Sequence, residues 1–109
     1  VASSSRRERL DLTLERSGLG RYFACVVAGD EVEHGKPAPD VYLLAAPRLG
    51  VRPQDCLAVE DTGHGAASAV AAGMRVLGVA RIPAEAGRLL AAGAALVDRL
   101  DPGVLLALL

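Results

Sequence analysis

Short apolar runs alternate along this chain with segments whose apolar residues recur at helical spacing. The apolar runs predict strands at residues 23–28, 56–59, 75–80 and 95–97, after the end of a strand at 1–3. Helices are predicted at residues 6–17, 39–49, 66–72 and 83–92, with a last one from 101. Strands that are almost continuously apolar and alternate with helices are typical of a parallel sheet. We therefore predict an α/β fold with helices on both faces of the sheet.

Local signals predict where two of these helices begin and end. Ser5 and Glu8 fit a capping box, and Gly18 should end the first helix. Pro39 can be the first residue of the second helix, because its fixed φ suits that position. Pro47 should kink or shorten the last turn of that helix.

Composition and charge exclude several functional classes. Hydrophobic residues make up 51% of the chain and aromatic residues only 3%, so the core must consist of Leu, Val and Ala. The net charge is −1 and no apolar run could span a bilayer, so we expect neither a nucleic-acid nor a membrane partner. Cys25 and Cys56 lack metal-type spacing and lie in apolar runs. We expect buried thiols in a reducing, cytoplasmic compartment.

Two adjacent carboxylates, Glu60 and Asp61, follow the predicted strand at 56–59. Ligands of parallel sheets bind beyond the carboxyl ends of the strands, and paired carboxylates suit a hard cation such as Mg²⁺. The alternative is that Asp61 or Thr62 only caps the following helix. Small residues from Gly63 onwards would let that helix pack closely and leave the turn open to a ligand.

Lys36 is the only lysine among 12 basic residues. Pro37 and Pro39 restrict the backbone around it, so this loop can aim one long side chain. The compact ammonium could neutralise a phosphoryl group or a nearby carboxylate. The alternative is a solvated surface lysine.

The serine and histidine side chains are weaker candidates for site residues. Ser3 lies at the predicted strand end and, with the backbone N–H of Ser4, could hold phosphate oxygens. His34 and His64 flank the loops of Lys36 and Asp61, and both could line the same opening. Exposed loop histidines without a function are the commoner case, although His64 could contact a substrate.

In combination, these segments resemble the haloacid dehalogenase superfamily of phosphotransferases, in particular its beta-phosphoglucomutase-like phosphatases and mutases. The resemblance covers essentially the whole chain and is carried by Val1-Ala2-Ser3-Ser4-Ser5, Gly18-Leu19, Tyr22-Phe23, Gly29-Asp30-Glu31-Val32, Gly35-Lys36-Pro37-Ala38-Pro39-Asp40, Glu60-Asp61-Thr62-Gly63-His64-Gly65 and Ala71-Ala72-Gly73-Met74. It implies a Rossmann-like sheet. It also implies that Ser3 and Lys36 bind the transferring phosphoryl group, and that Glu60 and Asp61 bind Mg²⁺.

Two parts of the family pattern do not occur in these 109 residues. The first motif of the family, Asp-x-Asp, supplies the nucleophile and the general acid/base, and the sequence contains no Asp-x-Asp. The cap domain that selects the substrate in this branch is also missing. We therefore expect residues 1–109 to be the C-terminal part of a haloacid dehalogenase-like core domain, with an incomplete sheet.

The resemblance implies a Mg²⁺-dependent phosphatase that acts on a small phosphate monoester, such as a sugar phosphate, through an aspartyl-phosphate. We expect the chain alone to be inactive, because its sequence lacks the nucleophile. Three alternatives stay open. The chain could belong to a beta-phosphoglucomutase-type mutase, act as a non-catalytic phosphate-binding or regulatory module, or be a structural subunit that completes its sheet with a partner chain.

We predict that the isolated chain is marginally stable or aggregation-prone. In the family the first-motif strand lies centrally, so its absence would leave two strand edges unpaired. Each unpaired buried backbone group costs about 1–3 kcal/mol, against a total domain stability of about 5–15 kcal/mol. The chain would be stable if the two strand edges paired with each other, or if a missing segment or a partner chain took the place of the first-motif strand. Thermal unfolding of purified monomer checks it, and a cooperative transition at high temperature would contradict it.

Overall fold

The computed structural model describes residues 1–107 and contains a three-stranded parallel sheet in the order β1-β2-β3. The strands are β1 Leu57–Glu60, β2 Arg75–Gly78 and β3 Ala95–Leu96. The helices are α1 Arg7–Ser17, α2 Asp40–Arg48, α3 Gly63–Ala71, α4 Pro83–Ala92 and α5 Pro102–Ala107. Helix α3 connects β1 to β2 and α4 connects β2 to β3, as parallel pairing requires. The predicted α/β fold with a parallel sheet is confirmed.

Small side chains allow α3 to lie close to the sheet. Ala66 and Ala69 of α3 are fully buried, as is Leu89 of α4. The two helices pack against each other, and α3 packs against β1 and β2 while α4 packs against β2 and β3. The distance between packed elements depends on the side chains at their contact, so alanine and glycine bring the N-terminus of α3 close to the end of β1. This packing places the start of α3 beside the two predicted carboxylates.

The first residues of the chain lie beside residues 25–29 and not in the three-stranded sheet. Ala2 and Val27 form a single parallel bridge, in which the Ser3 N–H donates to the Val27 carbonyl over 3.0 Å. The strands predicted at 1–3 and 23–28 were therefore too long. Within residues 1–107 neither segment has a second strand beside it, and a lone strand pair is marginal in water.

An open groove separates this bridge from β1. Its walls include residues 1–4 on one side and 56–61 on the other, and its volume is about 610 Å³. Among the described residues β1 pairs only with β2, so its other edge has no strand partner. The two edges have not closed onto each other. We call this space the central groove.

Helix α1 begins without the predicted capping box. Its N-cap is Arg6, which makes no side-chain cap, and the Arg7 N–H instead donates to Asp30 Oδ1 over 2.9 Å. The Ser5 and Glu8 prediction was wrong because a carboxylate from a distant turn provides the acceptor. The predicted C-terminus is confirmed, since Gly18 adopts the left-handed conformation with φ 69°.

Two other helices begin at different residues from those predicted. Pro39 is the N-cap of α2 and not its first residue, and Pro47 lies in the last turn before the helix ends at Arg48. Helix α3 begins at Gly63 and not at residue 66, because the Thr62 hydroxyl accepts a hydrogen bond from the Gly65 N–H over 3.1 Å. The threonine cap starts the helix one turn earlier than the alanine run suggested.

A short 3₁₀ turn at Gly29–Glu31 contacts both α1 and α2. Glu31 accepts hydrogen bonds from the Ala28 N–H over 2.7 Å, from Arg48 over 3.0 Å and from Arg7. The Ala28 N–H and these two guanidinium groups lower the pKa of Glu31 to about 2. This turn supports the segment that carries Ser3.

The cysteines are less buried than predicted. Cys25 and Cys56 are both free and only half-buried, and the Cys56 thiol donates to the Arg52 carbonyl over 3.3 Å. None of the helices within residues 1–107 is long and apolar enough to cross a membrane.

We predict that Gly29→Ala destabilises the chain by about 1–3 kcal/mol. A Cβ at Gly29 would overlap the Ser4 backbone, which cannot move without displacing the N-terminal segment. Gly35→Ala is the matched control, since a Cβ there meets no atom within 4 Å. Urea unfolding of both variants measures the difference. Equal urea midpoints for the two variants would show that the Ser4 backbone leaves space for a Cβ at residue 29.

Candidate functional site

The side chains singled out in the sequence meet in the central groove. Ser3, Ser4, Lys36, Glu60 and Asp61 all line it. The serines come from the N-terminal segment, the lysine from the loop before α2, and the carboxylates from the carboxyl end of β1 and the residue after it. The structure brings these side chains together, while the role of each residue stays a prediction.

Lys36 forms a buried ion pair and is not a solvated surface lysine. Its Nζ donates to Glu60 Oε1 over 2.5 Å and to the Ala2 carbonyl over 3.1 Å. The two side chains are only 13% and 8% exposed. Breaking such a pair by removing one partner typically costs about 3–5 kcal/mol, because the remaining charge is left buried. The ammonium therefore joins three segments that are distant along the chain.

Tyr42 completes this ion pair, and the sequence analysis did not identify it. Its hydroxyl donates to the same oxygen, Glu60 Oε1, and the centre of its ring lies 5.0 Å from the Lys36 Nζ. Burial raises the pKa of Tyr42 above its usual range, and the nearby Glu60 carboxylate raises it further. The phenol therefore stays protonated and acts as a donor. Two features of the sequence could have indicated Tyr42. It lies two residues after Asp40, and aromatic residues are rare in this chain, which has two tyrosines and one phenylalanine.

The carboxylate of Glu60 is also confined by α3. A Cβ at Gly65 would overlap this carboxylate, so only glycine leaves it enough space. Asp61 is exposed, and no hydrogen bond or ion pair of its side chain is found within residues 1–107. Of the alternative that Asp61 or Thr62 caps the following helix, the cap by Thr62 is confirmed and the cap by Asp61 is wrong. Of the two acids, only Asp61 has a carboxylate without a protein partner in the described part of the chain.

The loop that carries Lys36 is fixed to α3. The fully buried Ser68 donates its hydroxyl hydrogen to the Ala38 carbonyl over 2.6 Å. The peptide bond between Lys36 and Pro37 is cis. Ser68 was not identified from the sequence, where it reads as one more small residue of the alanine-rich helix. Through this contact, α3 positions the lysine loop.

A second buried carboxylate, Glu85 of α4, supports the turn after Asp61. Glu85 Oε2 accepts a hydrogen bond from the Gly63 N–H over 2.8 Å, and Arg88 donates to Oε1 over 2.9 Å. These two donors lower the pKa of Glu85 below its usual value. The contact holds the N-terminus of α3 in place. Sequence alone gave no reason to connect these residues, because they lie 22 positions apart.

Neither histidine lines the central groove. His34 is exposed, and its Nδ1 lies 3.3 Å from Asp40 Oδ2. His64 lies in a separate surface depression together with Pro37 and Arg88. The two histidines therefore do not share one opening, and both are exposed, as in the case that the sequence analysis gave as the commoner one. A substrate contact by His64 stays a prediction.

The groove offers oxygen ligands that fit Mg²⁺ in type but form an incomplete set. Asp61 has a free carboxylate, whereas one oxygen of Glu60 already binds Lys36 and Tyr42. Among residues 1–107, no group of three His, Cys, Asp or Glu side chains could hold a metal ion. Because Mg²⁺ retains several water molecules and needs only one or two carboxylates, the site can provide part of its coordination.

Residues 1–79 match the family described as haloacid dehalogenase-like hydrolase. Over 79 residues the chain is 44% identical to the fructose-1-phosphate phosphatase YqaB of Escherichia coli (strain K12), covering 72% of this chain and 42% of that protein.

Two solved structures are also similar. A proposed beta-phosphoglucomutase from Thermotoga maritima superposes with a TM-score of 0.87 at 34% identity, covering 98% of this chain and 51% of that one. A family hydrolase from Deinococcus radiodurans R1, with bound phosphate and sodium, has a TM-score of 0.82 at 34% identity, covering 96% and 48%. The chain thus spans about half, or less, of the length of these relatives.

We predict that Gly65→Ala destabilises the chain, whereas Gly87→Ala stabilises it. The added methyl group at residue 65 would displace the Glu60 carboxylate from its partners, at a cost of about 1–3 kcal/mol. At Gly87, inside α4, a Cβ meets no atom within 4 Å, and alanine is favoured in helices by about 1 kcal/mol. Urea unfolding measures both. Stabilisation by Gly65→Ala would contradict the close contact.

Proposed function

Because the chain belongs to the haloacid dehalogenase-like hydrolase family, we propose that it is part of a Mg²⁺-dependent phosphatase. The proposed substrate is a small phosphate monoester such as a sugar phosphate. One observation carries the proposal: Lys36, Ser3 and the two carboxylates line a single groove at the end of β1. Cations and hydroxyl groups beside a carboxylate pair are the groups that phosphoryl transfer requires.

In this proposal Lys36 and Ser3 bind the transferring phosphoryl group. An ammonium has three N–H bonds, and the Lys36 ammonium uses two of them on Glu60 and Ala2. The third remains for a phosphoryl oxygen. The Ser3 hydroxyl oxygen accepts a hydrogen bond from the Ser5 N–H over 3.0 Å, which leaves its own O–H as a donor. The backbone N–H of Ser4 would be a further donor at the same place.

Asp61, together with the remaining capacity of Glu60, would hold Mg²⁺. The bound ion supplies positive charge that stabilises the phosphoryl oxygens during transfer. The chain itself contributes the free carboxylate of Asp61 and the fixed turn behind it, which Thr62 and Glu85 support. These residues position the ligand oxygen without a further rearrangement of the backbone.

We propose that the nucleophilic aspartate comes from outside residues 1–109, on an extended segment that lies in the central groove. The groove has the backbone segments 1–4 and 56–61 in its walls, and β1 has no strand partner on that side within residues 1–107. An added strand would satisfy the free backbone groups of that edge. The segment we expect ends in Asp-x-Asp. Its first aspartate would attack the phosphorus atom and form an aspartyl-phosphate, while the bond from phosphorus to the substrate oxygen breaks and the second aspartate, as general acid, protonates the departing alcohol.

Water would then hydrolyse the aspartyl-phosphate and complete the phosphatase reaction. In a mutase of the beta-phosphoglucomutase type, a second sugar hydroxyl would accept the phosphoryl group instead. The phosphatase is favoured because water is always available and because the E. coli relative is a phosphatase. A phosphate-binding module without catalysis is the second candidate, since residues 1–109 contain no Asp-x-Asp. We place the protein in the cytoplasm, which fits two free cysteines.

Hydrolysis of p-nitrophenyl phosphate with and without Mg²⁺ tests this function. The chain is assayed alone, with a synthetic strand peptide that ends in Asp-x-Asp, and with the same segment fused before Val1. We expect no activity from the chain alone, and Mg²⁺-dependent hydrolysis once the segment is present. The peptide and fusion arms distinguish a separate partner from a covalently joined segment. Phosphate binding without hydrolysis in every arm would favour the non-catalytic module.

In the active arm, Lys36→Ala and Asp61→Asn should each lower hydrolysis by about 10²- to 10³-fold, because each removes a group that stabilises the transferring phosphoryl group. Asp98→Asn is the matched control, since Asp98 is exposed and lies outside the groove. Circular dichroism must show that Lys36→Ala is folded, because it leaves Glu60 without its counter-ion. Activity that survives both substitutions would overturn the proposed function.

A further inference from the structure

We propose that Tyr42 is a positioning residue that acts through Glu60 to hold the Lys36 ammonium in the central groove. The inference rests on the proposed function, because it explains how the phosphoryl-binding cation is aimed. Tyr42 lines the central groove, and its hydroxyl donates to Glu60.

The first observation is that two donors share one acceptor. The Tyr42 hydroxyl and the Lys36 ammonium both donate to Glu60 Oε1. Hydrogen bonds to a carboxylate are directional, so two donors on one oxygen fix its position more tightly than either could alone. The hydroxyl therefore determines the position of the negative charge that attracts the ammonium.

The second observation is that Tyr42 also contacts the cation itself. The Lys36 Nζ lies 5.0 Å from the centre of the Tyr42 ring, within the range of a cation–π interaction. Tyr42 is only 8% exposed and lies in the first turn of α2, which begins four residues after Lys36. One rigid side chain therefore faces the ammonium with its ring and the carboxylate with its hydroxyl.

The third observation is that Glu60 has little freedom to move away. Gly65 leaves space for its carboxylate only because that residue lacks a Cβ. With α3 on one side and Tyr42 on the other, the carboxylate is confined to the position that binds Lys36. Because the Ala2 carbonyl takes a second N–H, the direction of the remaining N–H bond is determined by these fixed partners.

This arrangement assigns distinct roles to the two adjacent acids. Glu60 is buried and holds the cation, while Asp61 is exposed and without a side-chain partner in the described residues. If Tyr42 were only a core residue, removal of its hydroxyl would change stability but not the environment of the ammonium. If it is a positioning residue, the ammonium itself must respond.

The test is NMR spectroscopy of the full chain with ¹⁵Nζ-labelled lysine. Lys36 is the only lysine, so the spectrum has one ammonium signal to assign. We expect a signal protected from solvent exchange in the wild type, and nuclear Overhauser contacts between the Lys36 ε-protons and the Tyr42 ring. In Tyr42→Phe the ring remains and the hydroxyl is lost. Hydrogen exchange of the ammonium should then become roughly fivefold faster or more, as expected for the loss of one hydrogen bond.

Tyr22→Phe is the matched control, because Tyr22 is the only other tyrosine and is 67% exposed. It should leave the ammonium signal unchanged. A double-mutant cycle with Glu60→Gln shows whether Tyr42 acts through the carboxylate. In the Glu60→Gln background, Tyr42→Phe should have at most a small further effect on exchange. The amide spectrum of each variant verifies that it is folded.

Three NMR outcomes would overturn the inference. The first is an ammonium signal in Tyr42→Phe that matches the wild type in shift and exchange. The second is an undiminished effect of Tyr42→Phe in the Glu60→Gln background. The third needs only the wild type: absence of the contacts between Lys36 and the Tyr42 ring shows that the ammonium is not held there.

The same variants separate this inference from the proposed function. The NMR measurements need neither phosphate nor Mg²⁺, so they stand if the p-nitrophenyl phosphate assay shows no hydrolysis in any arm. Conversely, hydrolysis that depends on Lys36 and Asp61 but is indifferent to Tyr42→Phe would support the function and reject the positioning role. Where hydrolysis is observed, we expect Tyr42→Phe to lower kcat more than it raises KM, and Tyr22→Phe to change neither.

Discussion

The buried ion pair between Lys36 and Glu60 determines how the rest of the site is arranged. Two charges removed from water destabilise a protein unless they meet in good geometry with additional hydrogen bonds. Here the Ala2 carbonyl and the Tyr42 hydroxyl provide those hydrogen bonds. The pair therefore binds the N-terminal segment, the lysine loop and β1 together. It also explains the glycine at residue 65, where any side chain would occupy the place of the carboxylate.

Around this pair the chain forms two parts with a space between them. The sheet β1-β2-β3 with α3 and α4 is one part, and the bridge between Ala2 and Val27 with α1 belongs to the other. The ion pair crosses the central groove between them. A segment that inserts into this groove could pair its backbone with the strand edges in the walls. Its negatively charged side chains could at the same time interact with the Lys36 ammonium. The proposed phosphoryl transfer depends on that combination.

Sequence reasoning identified Ser3, Glu60 and Asp61 because they lie at predicted strand ends, and Lys36 because it is the only lysine and stands between Gly35 and Pro37. It missed Tyr42, Ser68 and Glu85, each of which looks like an ordinary residue on its helix. It also assigned a cap to Ser5 that Asp30 provides from another turn. The missed and misassigned contacts share one property. Their partners lie 18 to 30 positions apart along the chain, where local patterns carry no information.

The sequence by itself determined the alternation of strands and helices, since apolar spacing and backbone preferences act within a few residues. The limits of α4 at Pro83 and Ala92 follow directly from a proline and from Gly93. It also determined which chemical groups lie at the carboxyl ends of the strands. Only the tertiary structure decided that Glu60 faces Lys36 while Asp61 faces solvent. Glu60 is the last residue of β1 and Asp61 is the first residue of the turn after it, and which of the two is buried depends on the helices that pack there.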